Sequence, residues 1–264
     1  MKWIGAVSWV LFLAATGSAG PIATYQFNGT YNANEGGIPA LSPVIGTGGA
    51  ATFSTDTVFG STRSIVNLQG SPGTNLNTGL QLANATGVIP GSTYSVEFVF
   101  QFTQNPSGFR KIEDVSNRGS DNGFYAFGDK VTVFGDGLTG PVNSWTNLVY
   151  HHVVLTEGGG NVAVYVDGVQ DFSGPDTVMI IPAGNALSLF IDDASNVEYS
   201  SSKVALVRLF DSTLTQGDVT TLFNNGSPVD LQPPATGTPE PSTAALLTAG
   251  LGLGGLLRRR YSRR

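Results

Sequence analysis

Two short polar pairs carry the side chains best suited to chemistry: Asp121-Asn122 and Asp192-Asp193. Carboxylate, amide and backbone carbonyl oxygens in loops are the ligands that calcium prefers. Asp114 and Asn196 could add oxygens if the fold brings them near. The protein contains no cysteine, which excludes thiolate metal sites and disulfides, and no spacing matches an EF-hand loop. We therefore predict calcium as the one cofactor; the alternative is a pair of solvated loops on an acidic protein.

A second set of residues could contact a ligand: Phe109, Arg110 and Trp145. Phe109 and Trp145 fall in predicted loops, where an exposed aromatic ring would offer a large apolar face to a sugar. Arg110 follows Phe109, and its guanidinium could attract an acidic sugar. Both aromatic residues could instead belong to the core. In that case the protein would be a structural one without a specific ligand.

No arrangement of residues indicates an enzyme. A retaining glycosidase needs two carboxyl groups about 5–5.5 Å apart, which acids at i and i+2 of a strand could provide because they share a face. Glu113-Asp114 and Asp192-Asp193 are adjacent instead, so their side chains diverge. His151 and His152, the only histidines, also point to opposite faces of a strand, and we expect one near the core and one outside. Glycoside hydrolysis stays a remote alternative.

The C-terminal residues 239–264 form a tail of three parts. In order these are the motif Pro239, Glu240 and Pro241, the uncharged run 242–257, and the arginines Arg258, Arg259, Arg260, Arg263 and Arg264. The run would span roughly 24 Å as a helix, somewhat less than a hydrocarbon core of about 30 Å. Arginines can snorkel to extend its reach, and they hold their end in the cytoplasm. The tail therefore predicts a transmembrane anchor. A buried helix with a nucleic-acid-binding tail is disfavoured because the run's glycines weaken a soluble helix.

This tail resembles the PEP-CTERM sorting signal of exopolysaccharide-producing Gram-negative bacteria. The resemblance implies recognition by a membrane-embedded exosortase and cleavage near Pro239-Glu240-Pro241. The processed protein would then leave the inner membrane for the cell surface or the extracellular matrix.

The N-terminus predicts export as well. Lys2 supplies a positive charge, residues 4–15 are apolar, and Gly17-Ser18-Ala19 offers small residues before a cleavage point. This arrangement is typical of a secretory signal peptide, which we assign to residues 1–19. A first transmembrane helix is the alternative, disfavoured because the apolar run is short.

The intervening chain is acidic. Residues 20–238 contain seven basic and eighteen acidic residues, so seven minus eighteen gives a formal net charge of −11. Nucleic acid is therefore excluded as a partner, since phosphates require Lys and Arg. Gly, Pro and polar residues are abundant, which favours many short strands joined by turns. We assign residues 20–226 to one domain and residues 227–238, rich in Pro and Thr, to a linker.

Hydrophobic periodicity predicts an all-β domain. Residues 94–102 alternate with a period of two, with five apolar or aromatic side chains on one face. Asp167-Gly168 between apolar runs predicts a type I′ hairpin. Residues 215–224 have helical periodicity, with Thr215 as the capping residue. About ten to twelve short strands with one late helix predict a sandwich of two antiparallel sheets.

Four segments resemble laminin G-like jelly-roll domains of the concanavalin A-like lectin and glucanase group: residues 94–100, 152–156, 164–168 and 204–210. The resemblance implies a jelly-roll sandwich, and such domains often bind calcium at one rim. The group contains binding proteins and enzymes on one scaffold. We expect a lectin-like domain that binds carbohydrate, such as exopolysaccharide, or acts in adhesion, with an inert structural matrix protein as the alternative.

Overall fold

The alternating aromatic segment forms the central strand of the larger of two sheets in the computed structural model. Its inward residues Tyr94, Phe98 and Phe100 are fully buried between the sheets. The structure describes residues 20–71, 76–104, 107–193 and 198–225. The predicted signal peptide, linker and sorting tail lie outside the described residues. Over the described ranges, no helix has the length and apolar character needed to cross a bilayer.

Fifteen strands are found within the described ranges. In chain order they are β1 Ala23–Tyr25, β2 Ser42–Ile45, β3 Ala51–Val58, β4 Ser61–Leu68, β5 Thr78–Leu82, β6 Thr93–Phe102, β7 Phe109–Asp114, β8 Gly123–Phe127, β9 Lys130–Phe134, β10 Leu138–Thr139, β11 His151–Gly158, β12 Asn161–Val166, β13 Val169–Pro175, β14 Leu187–Leu189 and β15 Ser202–Phe210. A 3₁₀ turn, Ala85–Gly87, precedes β6, and one helix, α1 Gln216–Asn225, follows β15.

The strands form two antiparallel sheets. The eight-stranded sheet has the order β13-β12-β11-β6-β15-β4-β3, and β1 also pairs with β15. The seven-stranded sheet has the order β10-β9-β8-β7-β14-β5-β2. Neighbouring strands are often distant in the chain, as in a jelly roll. The predicted fold class, an all-β two-sheet antiparallel sandwich, is confirmed.

The core fills the space between the sheets because each strand alternates its side chains between two faces. The eight-stranded sheet contributes the β6 aromatic residues together with Val153 and Leu155 of β11, and the seven-stranded sheet contributes Phe124 and Val133. Burial of this apolar surface is the main favourable term in the stability of the domain.

A β-bulge between Lys111 and Glu113 changes the direction of two acidic side chains. Glu113 points into the interior, where the Tyr94 hydroxyl donates to its Oε1 at 3.3 Å. Asp114 lies on the outer face beside Lys111, with 3.6 Å between the carboxylate and the ammonium. The predicted divergence of Glu113 and Asp114 is therefore confirmed.

The β12–β13 connection is the predicted tight hairpin. Asp167 has φ 50° and Gly168 has φ 82°, the positive values that a type I′ turn requires. The Asp167 carboxylate also accepts the backbone N–H of His152 at 2.9 Å and lies 2.8 Å from Nδ1 of His151. These contacts fix the turn to the neighbouring strand.

Helix α1 covers part of the outer face of the eight-stranded sheet. Val219 of the helix packs with Val154, Tyr165 and Phe210 of the strands. Thr215 and Asp218 exchange hydrogen bonds at its start, because each side chain accepts the other residue's backbone N–H. The predicted cap is thus confirmed.

The two histidines point to opposite faces, as predicted, but both are buried. The His151 ring stacks on Trp145, with centroids 4.3 Å apart. His152 lies on the outer face and was expected to be outside the core. Instead Phe223 of α1 lies over its ring at 5.6 Å, and Glu97 contacts its Nε2 at 3.1 Å. The helix therefore buries the outward histidine.

Two short strands fall where the sequence predicts no strand. β2 lies inside the segment 28–49, which is rich in Gly, Pro and Asn, and pairs with β5. β10 has only two residues and pairs with β9. Both are edge strands, as β2 and β10 end the seven-stranded sheet, so little of their surface is buried and their sequences carry no clear alternation.

Candidate functional site

An aromatic face lies on the outside of the seven-stranded sheet. It consists of Phe109 from β7, Tyr125 and Phe127 from β8 and Phe134 from β9. Phe109 and Phe127 occupy paired positions, and their rings stack with centroids 4.2 Å apart and planes 22° apart. Phe134 meets Phe109 edge-on at 5.4 Å. Phe127 and Phe134 are 38% and 39% exposed, so the face presents apolar rings to solvent.

An acidic cluster adjoins this face and consists of Asp121, Asp192 and Glu198. Each residue offers an oxygen within 4.8 Å of the other two. Asp192 follows β14 and is fully buried, whereas Asp121 and Glu198 are half-buried. Tyr125 joins the two features, because its hydroxyl donates to the Asp121 carbonyl and also lies 3.2 Å from Oδ1 of Asp192.

The ammonium of Lys111 lies beneath the acidic cluster. It is 3.2 Å from the Asp192 carboxylate and 3.6 Å from that of Asp114. It also donates to the backbone carbonyls of Asp121 at 3.3 Å and Asn122 at 3.0 Å, and lies 4.2 Å from the centre of the Tyr125 ring. A buried lysine with these partners stabilises neighbouring carboxylates that would otherwise repel one another.

The acidic cluster retains an excess of negative charge. Burial, with the carboxylates of Asp192 and Asp121, raises the pKa of Glu198 to about 7. Burial also raises the pKa of Asp192, although Lys111 opposes this shift. Within the described part of the chain, Oδ2 of Asp192 has no hydrogen-bond partner. Three carboxylates with an unused buried oxygen match the hard oxygen ligands that calcium prefers.

The structure brings together part of the predicted metal set. Asp121 and Asp192 meet, although they lie 71 positions apart in the chain. Asn122 contributes its carbonyl to Lys111, and the Asp193 carbonyl accepts the Tyr199 hydroxyl at 2.8 Å. Asn196 lies outside the described residues, and Asp114 lies with Lys111.

Glu198 completes the cluster and was missed in the sequence. It is an isolated acid in a polar segment, so neither a motif nor a periodicity marks it. Only the return of the chain after β14, which places Glu198 beside the start of β8, identifies it.

Of the three predicted ligand residues, only Phe109 lies on the outer face, and the structure corrects the other two. The Arg110 side chain is fully buried, with its guanidinium 5.0 Å from the Phe102 ring and donating to the Gly128 carbonyl at 3.0 Å. Burial lowers the pKa of Arg110 to about 10. Trp145 is 2% exposed and packs on Phe100 at 5.4 Å. Neither residue is accessible to a sugar.

Two family models match the chain. The model of the concanavalin A-like lectin/glucanases superfamily matches residues 73–220, and the PEP-CTERM protein-sorting motif matches residues 238–264. No curated protein gives a significant match. The sorting motif implies processing by an exosortase. It indicates an exported protein with a membrane-anchored intermediate and a final position at the cell surface or outside the cell.

Several solved structures share the fold. Domain 4 of AbnA, an extracellular arabinanase from Geobacillus stearothermophilus solved with arabinotriose, is 17% identical with a TM-score of 0.57, covering 78% of this chain and 98% of that domain. A structure of botulinum neurotoxin type C, from work on its interaction with two ganglioside molecules, is 15% identical with a TM-score of 0.55. That match covers 78% of this chain and 51% of the neurotoxin chain.

Identities this low establish the fold alone. The family assignment depends on the sequence match, which covers strands from both sheets and all the residues of the aromatic face and the acidic cluster. Since that match includes more than half of the 264 residues, the chain belongs to the concanavalin A-like lectin/glucanases superfamily.

Proposed function

We propose that this exported domain binds carbohydrate on the outside of the seven-stranded sheet, across the aromatic face and the acidic cluster. The observation that carries the proposal is the continuity of the two features through Tyr125, whose ring meets Phe109 at 5.5 Å and whose hydroxyl contacts Asp121 and Asp192. Apolar rings beside a few convergent polar groups are typical of small-molecule sites.

The two features supply complementary contacts to a sugar. The stacked rings of Phe109 and Phe127 offer a flat surface to the apolar face of a pyranose or furanose. Asp121 and Glu198 are half-exposed and can accept hydrogen bonds from sugar hydroxyls, since an ionised carboxylate accepts through both oxygens. An excess of carboxylates favours neutral over acidic sugars, so we propose a neutral glycan chain as the ligand, supplied by the surrounding exopolysaccharide and used in adhesion or retention.

The carbohydrate ligands of two structurally similar proteins support a glycan ligand. The arabinanase domain was solved in complex with arabinotriose, and the neurotoxin depends on gangliosides for cell entry. Both are carbohydrate-containing molecules. At these identities the similarity concerns only the fold. The proposal therefore depends on the aromatic face of this chain itself.

We further propose that calcium binds at Asp121, Asp192 and Glu198. The supporting observation is the buried Oδ2 of Asp192, which lacks a hydrogen bond among the described residues. Bound calcium would neutralise the surplus charge and would offer coordination positions to sugar hydroxyls. Lys111 already neutralises Oδ1 of Asp192, so glycan binding is proposed to depend on calcium only in part.

Hydrolysis is the second candidate. One observation favours it: Asp121 and Glu198 are half-exposed carboxyl groups within 4.8 Å, close to the separation in retaining glycosidases, and Glu198 has a pKa raised to about 7. The fully buried Asp192 could not reach a glycosidic bond. Release of reducing sugar from a bound polysaccharide would select this candidate.

The proposal is tested by affinity electrophoresis of the exported, processed protein in gels containing neutral or acidic polysaccharides, each with calcium and with chelator. We expect retardation by a neutral polysaccharide, strongest with calcium. Equal mobility in every gel would reject glycan binding and favour the structural matrix protein. Equal retardation with calcium and with chelator would retain glycan binding and reject a contribution of calcium to it.

A further inference from the structure

The connection between β7 and β8 places an arginine beside the acidic cluster. Nε of Arg118 donates to the backbone carbonyl of Asp192 at 2.8 Å, and the carboxylate of the same Asp192 belongs to the cluster. Arg118 is neither fully buried nor fully exposed. The guanidinium is a rigid planar fork, so a hydrogen bond through Nε orients its terminal nitrogens. Arg118 is therefore an oriented cation next to the proposed glycan site.

The same connection holds Arg118 in an unfavourable backbone conformation. Asn117 and Arg118 have φ values of 58° and 59°, in the left-handed region that is strained for residues with a Cβ. Oδ1 of Asp114 accepts the Arg118 N–H at 2.8 Å, and the Asn117 amide donates to Oδ1 of Asn185 at 2.7 Å. These bonds maintain the conformation. Strain that neighbouring contacts maintain is concentrated at functional positions.

The terminal nitrogens of Arg118 make no ion pair in the described part of the chain. No carboxylate there comes within 4 Å of the guanidinium, although the three acids of the cluster lie nearby. The contrast is with Lys111, whose ammonium lies 3.2 Å from the Asp192 carboxylate. Lys111 neutralises the cluster from beneath, whereas Arg118 keeps its terminal donors for another partner.

Arg118 provides hydrogen-bond donors beside groups that accept. The ionised carboxylates of Asp121 and Glu198 can only accept hydrogen bonds. The ammonium of Lys111 and the hydroxyl of Tyr125 are used inside the fold, where both donate to the backbone carbonyl of Asp121. A sugar hydroxyl donates one hydrogen bond and accepts others. A sugar that donates to a carboxylate here can therefore accept from Arg118 through a neighbouring oxygen.

We propose that Arg118 determines the specificity of the glycan site by selecting neutral sugars with a vicinal diol. One hydroxyl of the diol donates to the carboxylate of Asp121 or Glu198, and the adjacent hydroxyl accepts from the guanidinium. Adjacent hydroxyls on one ring have a fixed spacing, so they bridge a carboxylate and a guanidinium that do not pair directly. The inference rests on the proposed glycan binding and names the chemical group that the site recognises.

The test is a cycle of calorimetric titrations on the exported, processed protein. The ligand is the neutral polysaccharide that retards this protein most in affinity gels, in its native form and after periodate oxidation and borohydride reduction, which destroy vicinal diols. The parent is compared with Arg118→Lys, which keeps the charge but loses the fork, and with Arg118→Gln as a second variant. Arg63→Lys makes the same exchange in β4 of the other sheet and is the matched control.

Both changes in the cycle remove the same contact. We expect oxidation of the polysaccharide to weaken binding by the parent at least about tenfold, and Arg118→Lys to weaken binding of the native polysaccharide by a similar factor, as for a lost hydrogen bond to a charged group. Oxidation should then weaken binding by Arg118→Lys clearly less than binding by the parent. Arg63→Lys should match the parent with both forms.

The outcomes distinguish this inference from glycan binding itself. Parent affinity in Arg118→Lys and Arg118→Gln would overturn the inference and leave glycan binding standing. So would an equal loss on oxidation in the parent and in Arg118→Lys, or strongest binding by the parent to a polysaccharide that resists periodate. Absence of binding by the parent to every polysaccharide would instead reject the proposed function, and the role of Arg118 with it.

Discussion

The ammonium of Lys111 lies 3.2 Å from the Asp192 carboxylate, and both side chains are buried. Lys111 belongs to β7 and Asp192 follows the neighbouring strand β14, and the bulge in β7 adds Asp114 to the same ammonium. The fold thus carries an internal cation beneath its outer acidic cluster. This cation contacts Asp192 and the carbonyls of Asp121 and Asn122, and so fixes their positions in the fold.

Replacement of Lys111 should destabilise the domain strongly. Lys111→Met leaves Asp114 and Asp192 as buried carboxylates without their cation, which costs about 3–5 kcal/mol of unfolding free energy. Urea unfolding measures the loss. Lys203→Met is the matched control, because Lys203 pairs with Asp56 at 2.7 Å on the surface and should cost no more than about 1 kcal/mol. Equal losses in the two variants would contradict the role assigned to Lys111.

The stability of the calcium-free domain should fall as pH rises. Burial raises the pKa of Glu113 to about 8, while a glutamate in the unfolded chain titrates near pH 4.3. Between these values the folded state holds a proton that the unfolded state releases. Below about pH 4, Glu113 is protonated in both states and its titration takes nothing from the stability. Above that pH, the unfolding free energy falls by up to about 1.4 kcal/mol per pH unit until about pH 8.

Glu113→Gln should remove this part of the pH dependence. Urea unfolding in chelator between pH 4 and pH 8 would show a shallower decline for the variant than for the parent, because glutamine cannot titrate. An unchanged slope would show that Glu113 is already ionised in the folded protein.

The β12–β13 hairpin should resist substitution at its glycine. Gly168 has φ 82°, and a Cβ there would lie 2.8 Å from the Phe223 ring of α1. Gly159 has φ 66° with open space around it, so Gly159→Ala introduces the backbone strain alone. We expect Gly159→Ala to cost about 1 kcal/mol and Gly168→Ala clearly more. Thermal unfolding of both variants checks the difference, and similar melting temperatures would contradict the close approach of α1.

Removal of the sorting tail should abolish exosortase processing. A chain truncated before Pro239 lacks the matched motif, so it should show no membrane-anchored intermediate in cell fractionation. Glu240→Ala, which changes only the central residue of the motif, should instead accumulate an unprocessed form in the membrane fraction. Normal processing of both variants would show that the tail is not the sorting signal.

The sequence predicts the strands whose faces differ in polarity. Residues 94–102 alternate strictly and form β6 as expected, and Asp167-Gly168 forms the expected hairpin. Edge strands such as β2 carry no such alternation, because water covers both of their faces. Local pattern therefore predicts the centre of each sheet better than its edges.

The functional surface was harder to predict because it depends on register. A one-residue bulge in β7 cannot be seen in the sequence, yet it decides that Lys111 and Asp114 face outward together. Arg110 and Trp145 are polar or amphipathic types that sequence reasoning places at the surface, whereas their stacking on Phe102 and Phe100 buries them. Phe127 and Phe134, the most exposed rings of the face, belong to no motif that the sequence analysis singles out.

The central claim is that the aromatic face binds glycan, and titration calorimetry on matched phenylalanine variants tests it most directly. The double variant Phe127→Ala/Phe134→Ala is compared with Phe59→Ala, because Phe59 is 39% exposed in the β3–β4 turn of the other sheet. The polysaccharide that retards the parent protein most is the ligand. We predict at least tenfold weaker binding for the double variant, a loss of about 1.4 kcal/mol, and parent affinity for Phe59→Ala. Unchanged affinity in the double variant, or equal weakening in Phe59→Ala, would contradict the claim.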